Sequence, residues 1–413
     1  MKYGLIGEKL GHSFSKEIHE MLGYYTYELH EIAKSDIDSF MKNHDFLGIN
    51  VTIPYKETVI PYLDNISPQA LSIGAVNTIV NKNGLLTGYN TDYYGMKALF
   101  ERIKVNPKNK KAIILGTGGT SKTATAVLND LEIKEIIKVS INNEPGTITY
   151  DEIDNHLDAN IIVNTTPVGM YPKNEGLIID INKFNNLDGV IDVVYNPLRT
   201  NLILNSKAKN IPSEGGLYML VAQAVYACGI FLDKEIDLEV INEIYDKIVN
   251  EKENIVLIGM PSCGKTTIGS LLAKQINKTL IDTDDLIVEK IGMSIAEFLK
   301  EHTEKEFRDI ETECVKTAAK SSSCIIATGG GAILREENVY ALKQNGTLYF
   351  INRDLSNLTP TSSRPFSSDI EALKKRYEER LPIYKSVCDV EVSNNEEIDT
   401  VINKILGEVK WNY

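Results

Sequence analysis

A chain of 413 residues is longer than the ~250–300 residues over which one hydrophobic core keeps growing, so two or three domains are expected. It has 43% apolar and 24% charged residues, no repeats and no low-complexity stretch, an ordinary globular mixture; a net charge of -13, with neither half basic, argues against nucleic acid as a partner. Five cysteines (Cys228, Cys263, Cys314, Cys324, Cys388) lack CxxC or Cys/His metal spacing, no secretory segment precedes the first strand, and no apolar run nears the ~20 residues that span a bilayer. The expectation is a protein of the reducing cytoplasm without membrane association.

In chain order, residues 2–6 read as the first strand, and apolar runs at 25–29 and 47–53 alternate with polar amphipathic segments up to about residue 95, as in an α/β domain. Between 111 and about 212 the alternation is regular, with candidate strands at 112–115, 136–140, 161–164 and 190–194, a doubly wound pattern. Residues 216–227 predict a long buried helix and 238–249 an amphipathic one, which return the chain to the first lobe. The short charged segment 250–254 is placed as the domain boundary. Beyond it, candidate strands at 255–258, 279–281, 324–328, 347–351 and 389–392 predict a small parallel-sheet domain. Its last helix puts Ile398, Val401, Ile402, Ile405 and Leu406 on one face, a core-packing pattern.

Two glycine-rich loops of different chemistry punctuate this order. Gly116-Thr117-Gly118-Gly119 follows an apolar run and leads into a helix, the layout of a dinucleotide-binding turn; Ser121 holds the third glycine position, where a small residue suffices. Alone, such a loop is also read as a plain strand-to-helix turn. Around it stand Gly11-His12-Ser13-Phe14-Ser15, Asn50-Val51-Thr52-Ile53-Pro54-Tyr55-Lys56, Gly74-Ala75-Val76-Asn77-Thr78, Asn90-Thr91-Asp92-Tyr93-Tyr94-Gly95 and Gly215-Gly216-Leu217-Tyr218-Met219-Leu220 with Gln223.

In that order these segments resemble the shikimate dehydrogenases, over about residues 1–250. The resemblance implies a substrate lobe at about 1–95 and 213–250 and a Rossmann-like NADP-binding lobe at about 96–212. It implies that Ser13 and Ser15 hold the carboxylate of a polyhydroxylated cyclohexene acid, that Thr52, Asn77 and Gln223 hydrogen-bond its ring hydroxyls, and that Gly116, Gly118, Gly119 and Gly216 line the cofactor. Lys56 and Asp92 match the family's catalytic pair, Asp92 also touching substrate; reduction of a ketone needs a proton for the developing alkoxide, and which of the two delivers it stays open. Read without the resemblance, Lys56 is a solvated loop cation and Asp92 a cap for a helix starting at Tyr93. One departure concerns the cofactor: Ile141 stands where NADP-using members usually carry arginine, and the nearest acid after that strand is Glu144. Lys122 or Lys138 is a substitute cation, and NADP(H) is expected on family grounds with NAD as the alternative.

The second loop, Gly259-Met260-Pro261-Ser262-Cys263-Gly264-Lys265-Thr266, matches the nucleotide-triphosphate P-loop at each fixed position. Its backbone cradles ATP phosphates, Lys265 reaches the β and γ groups, Thr266 offers a hydroxyl to Mg²⁺, and Thr267 adjoins it. Asp282-Thr283-Asp284, Phe307-Arg308-Asp309-Ile310-Glu311, Thr328-Gly329-Gly330-Gly331 and Arg380-Leu381-Pro382-Ile383-Tyr384 follow in the order of shikimate kinases, a resemblance covering about 254–413 and implying a P-loop, nucleoside-monophosphate-kinase-like α/β fold with a parallel sheet. It implies that Arg308 and Arg380 pair with the substrate carboxylate, that Asp284 orients the attacking hydroxyl, and that Asp282 helps hold the magnesium shell. Gly329, Gly330 and Gly331 are expected to let substrate approach the backbone, and Arg364, in a Ser/Thr/Pro-rich lid, to close onto the phosphates. Thr303 replaces a glycine frequent in the family.

The whole-chain expectation is an α/β bifunctional enzyme that reduces 3-dehydroshikimate to shikimate and then phosphorylates it. Two other readings are an NAD-preferring quinate/shikimate dehydrogenase in the first half, motivated by Ile141, and one half as a non-catalytic regulatory module. The partners expected are small molecules; the sequence carries no signal for an oligomeric state.

Overall fold

The computed structural model describes residues 2–11, 14–142, 144–358 and 370–408. The chain divides into two compact units, Met1–Asn196 with Asn205–Tyr245, and Pro197–Leu204 with Asp246–Tyr413.

The first unit opens with β1 (Tyr3–Gly7), α1 (Phe14–Leu22), β2 (Glu28–Glu31), α2 (Ile37–Asn43), β3 (Gly48–Val51), β4 (Asn65–Ile66), α3 (Pro68–Ile73), β5 (Thr78–Lys82), β6 (Leu85–Tyr89) and α4 (Thr91–Arg102). Local chemistry sets several of these boundaries. The Ser67 side chain caps α3, Pro68 fills its first turn and Gly74 ends it at φ +73°. Asn83 and Gly84, both at positive φ, make the two-residue turn between β5 and β6. The resulting sheet is mixed, in the order β2-β1-β3-β5-β6-β4, with β3 and β5 antiparallel.

A second sheet follows from β7 (Lys111–Leu115), α5 (Gly119–Asp130), β8 (Glu135–Val139), β9 (Ile161–Asn164), β10 (Gly189–Asp192), α6 (Asn201–Ala208) and β11 (Ser213–Gly215). Its order is β11-β10-β9-β7-β8, every pair parallel. The chain leaves β7 for β8 on one side and later returns to β9 on the other, so the crevice at the carboxyl end of β7 is the topological switch point where such sheets bind ligands. The long helix α7 (Gly216–Leu232) then packs back on the first sheet, close enough that a Cβ on Gly48 would stand 2.4 Å from Phe231. Helix α8 (Glu239–Lys252) runs three residues into the segment read as a linker: residues 250–252 continue its amphipathic pattern instead of breaking it.

The second unit contains β12 (Asn254–Ile258), α9 (Lys265–Ile276), β13 (Thr279–Asp282), α10 (Thr283–Ile291), α11 (Ile295–Glu301), α12 (Glu304–Ala319), β14 (Cys324–Ala327), α13 (Glu336–Asn345), β15 (Gly346–Asn352), α14 (Ile370–Val387), β16 (Val390–Ser393) and α15 (Ile398–Glu408). Its sheet, β13-β14-β12-β15-β16, is parallel at every pair. All five residues of β12 are buried, as a strand covered by helices on both faces requires. Thr303 forms a capping box with Glu306 at the start of α12, the two side chains satisfying each other's backbone N–H, so the departure from glycine supplies a helix cap. Among the described residues no helix is long and apolar enough to cross a membrane.

Candidate active sites

The first unit holds a cavity of about 300 Å³ lined by Ser15, Thr52, Lys56, Asn77, Asp92 and Gln223. Ser13 lies outside the described residues. Lys56 Nζ donates to Asp92 Oδ2 at 2.5 Å, with the two side chains 30% and 16% exposed. Residue Asn90, not Asp92, caps α4: its side chain accepts from Tyr93 N at 3.4 Å and donates to Ala75 O at 2.9 Å. Relieved of capping, the Asp92 carboxylate faces the cavity with its ammonium partner. An ammonium and a carboxylate in contact at a cavity wall can pass a proton to an oxygen seated against them. Four further polar wall residues, Lys9, His19, Asn50 and Tyr195, were given no role from the sequence. Asn50 opens one of the motifs and was readable from it; nothing in the residue pattern singles out His19.

At the carboxyl end of β7, Gly116 turns at φ +101°, and a Cβ there would come within 2.9 Å of Thr166. Gly118 precedes α5 as its N-cap and Gly119 is the helix's first residue; a Cβ on either meets nothing within 4 Å, so an anion can approach the backbone N–H groups of this helix start. Ser121 is buried where helix meets sheet. Gly216 answers to a different need: a Cβ would lie 2.0 Å from Val193 O, so protein packing alone demands glycine there. Past β8, Ile141 is 85% exposed. Glu144 folds back to accept from Ser140 Oγ at 3.3 Å, and Lys122 pairs with Glu57 at 3.1 Å.

In the second unit the P-loop joins β12 to α9. Gly259 and Gly264 sit at φ +150° and +98°; a Cβ would strike Ile351 O at 2.7 Å in the first case and Asn394 Nδ2 at 2.9 Å in the second. Lys265 is buried, its ammonium donating to the carbonyls of Gly259 and Met260, both at 2.9 Å. Thr266 Oγ1 donates to Asp282 Oδ2 at 2.7 Å, while Asp282 Oδ1 caps α10 by accepting from Asp284 N at 3.0 Å. Among the described residues no group of three or more His, Cys, Asp or Glu could hold a metal by itself. A hydroxyl and one carboxylate are nonetheless hard oxygen donors of the kind that complete a magnesium shell made mostly of water and phosphate.

Arg308 and Arg380, 42 and 114 residues beyond Thr266 in sequence, are both buried and converge on the glycine run beside Pro261 of the P-loop. Arg308 donates to Glu311 at 2.7 Å and Glu304 at 3.1 Å; Arg380 donates to Gly330 O at 2.9 Å, an oxygen that also accepts from the Tyr384 hydroxyl at 2.6 Å. Burial raises the Glu311 carboxyl above its ordinary range and Arg308 opposes the shift. Glu311 is the partner that sequence reasoning did not assign, although its i+3 spacing from Arg308 was the available signal. The glycine run is pressed by protein, not left open: a Cβ would stand 2.7 Å from Asp284 Oδ1 at Gly329, 2.7 Å from Pro261 at Gly330 and 2.1 Å from Arg308 Nη1 at Gly331. Arg364 lies outside the described residues.

Two family models match the chain: the shikimate dehydrogenase substrate binding domain over residues 5–79 and shikimate kinase over residues 261–410. A shikimate dehydrogenase (NADP(+)) of Clostridium beijerinckii is 38% identical over 266 residues, covering 60% of this chain and 98% of the relative. Among solved structures, a chorismate mutase/shikimate 5-dehydrogenase fusion protein from Clostridium acetobutylicum is 36% identical with a TM-score of 0.56, over 60% of this chain and 96% of that one. The Thermus thermophilus shikimate 5-dehydrogenase in complex with NADP(H) and shikimate is 26% identical with a TM-score of 0.53, over 60% of this chain and 99% of its own.

Proposed function

The chain belongs to the shikimate dehydrogenase family, and we propose that it is a bifunctional enzyme: an NADP-dependent dehydrogenase reduces 3-dehydroshikimate to shikimate, and an ATP-dependent shikimate kinase phosphorylates the product to shikimate 3-phosphate. The dehydrogenase is assigned to residues 1–250 and the kinase to 254–413. The observation that carries this reading is that the chain holds two full sets of polar groups for one small ring acid: a cavity with a Lys56–Asp92 pair, and a P-loop beside the buried arginines Arg308 and Arg380.

In the first site Ser13 and Ser15 bind the carboxylate, and Thr52, Asn77 and Gln223 hold the ring hydroxyls. NADPH supplies the hydride. Lys56 and Asp92 hold the proton that the developing alkoxide takes, and the turn of Gly116, Gly118 and Gly119 receives the pyrophosphate. With Ile141 uncharged, we assign the cation for the 2'-phosphate to Lys122, whose exposed pair with Glu57 is weak enough to be exchanged. In the second site Lys265, Thr266, Thr267 and Arg364 bind ATP, Asp282 and Thr266 support Mg²⁺, and Asp284 orients the attacking hydroxyl while Arg308 and Arg380 clamp the carboxylate. The cysteines are free thiols and four of the five are buried, in keeping with a reducing compartment.

Each half is tested by itself: loss of NADPH absorbance with 3-dehydroshikimate, and release of ADP with shikimate. Failure of either with its own substrates removes that half of the reading. Gly331→Ala gives a sharper check of the kinase site. Its Cβ would fall 2.1 Å from Arg308 Nη1, and that guanidinium is held by Glu311, so the arginine must move. The expected result is a rise of about tenfold or more in the KM for shikimate, a smaller change in the KM for ATP, and unchanged dehydrogenase activity. An unaltered shikimate KM would place the carboxylate elsewhere.

A further inference from the structure

The described wall of the dehydrogenase cavity carries three charged side chains, Lys9, Lys56 and Asp92. Lys56 and Asp92 are in contact and offset each other. His19 adds no charge: burial lowers its pKa to about 3, so at working pH the ring is neutral. Every other polar side chain on that wall is a hydroxyl or a carboxamide.

Lys9 stands on the loop from β1 to α1, ahead of Ser15. It is exposed, and its ammonium forms no hydrogen bond or ion pair with the described residues. The acids flanking its loop are engaged elsewhere: Glu8 pairs with Lys34 at 3.8 Å, and Glu31 Oε1 accepts the Leu10 N–H at 2.8 Å. That second bond, together with the burial of Leu10, anchors the loop on the sheet. The loop also abuts the strand end that bears Thr52, since a Cβ on Gly7 would lie 2.7 Å from both Leu10 and Thr52. An anchored backbone therefore keeps this ammonium at the cavity wall while its head stays in water.

We propose that Lys9 is a specificity residue of the dehydrogenase: its ammonium meets the carboxylate of the ring acid and supplies the counter-charge that the hydroxyls of Ser13 and Ser15 lack. This rests on the dehydrogenase reading of the cavity. With Lys56 and Asp92 offsetting each other, the wall is left with one positive charge for a substrate that carries one negative charge. Hydroxyls donate to an ester or an amide as well as to a carboxylate, whereas an unpaired cation favours the ionised acid. In the second site the same carboxylate is assigned to Arg308 and Arg380; in the first, the only other cation on the wall is already held by Asp92. An exposed ammonium attracts and holds the anion without touching the reacting carbonyl, so its effect belongs to binding.

The test is steady-state kinetics on the full chain carrying Lys9→Gln, Lys9→Glu or Lys9→Arg. Lys9→Gln is expected to raise the KM for 3-dehydroshikimate about three- to tenfold, Lys9→Glu to raise it further, and Lys9→Arg to leave it within about twofold of wild type. In all three, kcat, the KM for NADPH and the rate of shikimate phosphorylation stay within about twofold. The gap between wild type and Lys9→Gln narrows as salt is raised, because screening weakens the pair that only wild type forms. In the reverse direction, Lys9→Gln lowers kcat/KM for shikimate by a similar factor and leaves that for methyl shikimate, which has no charge to meet, within about twofold. A wild-type KM in Lys9→Glu, equal losses with acid and ester, or a change that falls on the NADPH KM instead overturns the proposal. If the wild-type chain itself reduces nothing, the reading of the cavity fails and this proposal with it; a working enzyme indifferent to charge at residue 9 removes this proposal alone.

Discussion

Replacing Lys56 with alanine is expected to lower the rate of 3-dehydroshikimate reduction by about 10³-fold or more, while shikimate phosphorylation by the same chain stays within about twofold. The carbonyl oxygen becomes an alkoxide as hydride arrives, and it needs a proton or a positive charge at that moment. Lys56 is the cation in contact with Asp92, and the carboxylate it leaves behind would be only 16% exposed and without its partner. The variant therefore loses the donor and gains a repulsive charge beside the developing oxyanion. Most of the loss should fall on kcat, since an interaction made mainly in the transition state leaves substrate binding less changed. Lys56→Arg separates proton delivery from charge: a guanidinium keeps the charge but does not release its proton, so the rate should stay low if Lys56 is the donor and recover substantially if charge alone matters. A circular-dichroism spectrum and thermal unfolding curve matching wild type show that the loss is not unfolding of the first unit.

Lys265→Ala makes the complementary prediction: loss of phosphoryl transfer by about 10³-fold or more with the dehydrogenase unaffected. In this structure Lys265 Nζ is tied to the Gly259 and Met260 carbonyls. To reach β and γ phosphates it must exchange those carbonyls for anionic oxygens, an exchange that strengthens as charge moves to the leaving group. Alanine removes the only side chain of the loop itself that carries positive charge. Lys265→Arg is expected to recover little, because a planar guanidinium does not reproduce the compact point donor that the Gly259 and Met260 carbonyls hold. A variant that phosphorylates shikimate at the wild-type rate would place the nucleotide elsewhere.

Much of the architecture was legible because parallel strands covered on both faces must be apolar along their length. β7, β9 and β12 are such runs, and the sequence places each to within a residue of its observed ends. β11, with the sequence Ser-Glu-Gly, has no such pattern and owes its place to pairing with β10. The end of α8 was misplaced for a related reason: charge in residues 250–252 reads as a linker, yet those residues extend the exposed face of an amphipathic helix.

For the sites, the outcome divides by the range of the interaction. The P-loop is a local signal, since strand, glycines, Lys265 and helix are contiguous. Lys56 and Asp92 are 36 residues apart and meet only through the fold, so the motif resemblance, and no spacing rule, pointed to the pair. The glycines Gly329, Gly330 and Gly331 were picked out as substrate-facing; a Cβ on them would meet Asp284, Pro261 and Arg308, and Asp284 and Arg308 are themselves proposed to bind substrate.

Two consecutive reactions on one chain are the centre of this account, and one incubation tests them together. The purified chain is given 3-dehydroshikimate, NADPH and ATP with Mg²⁺, and the products are identified. Shikimate 3-phosphate is predicted, with the reaction stopping at shikimate when ATP is withheld and leaving 3-dehydroshikimate untouched when NADPH is withheld. Shikimate accumulating unphosphorylated in the full mixture, or 3-dehydroshikimate persisting in it, would contradict the account.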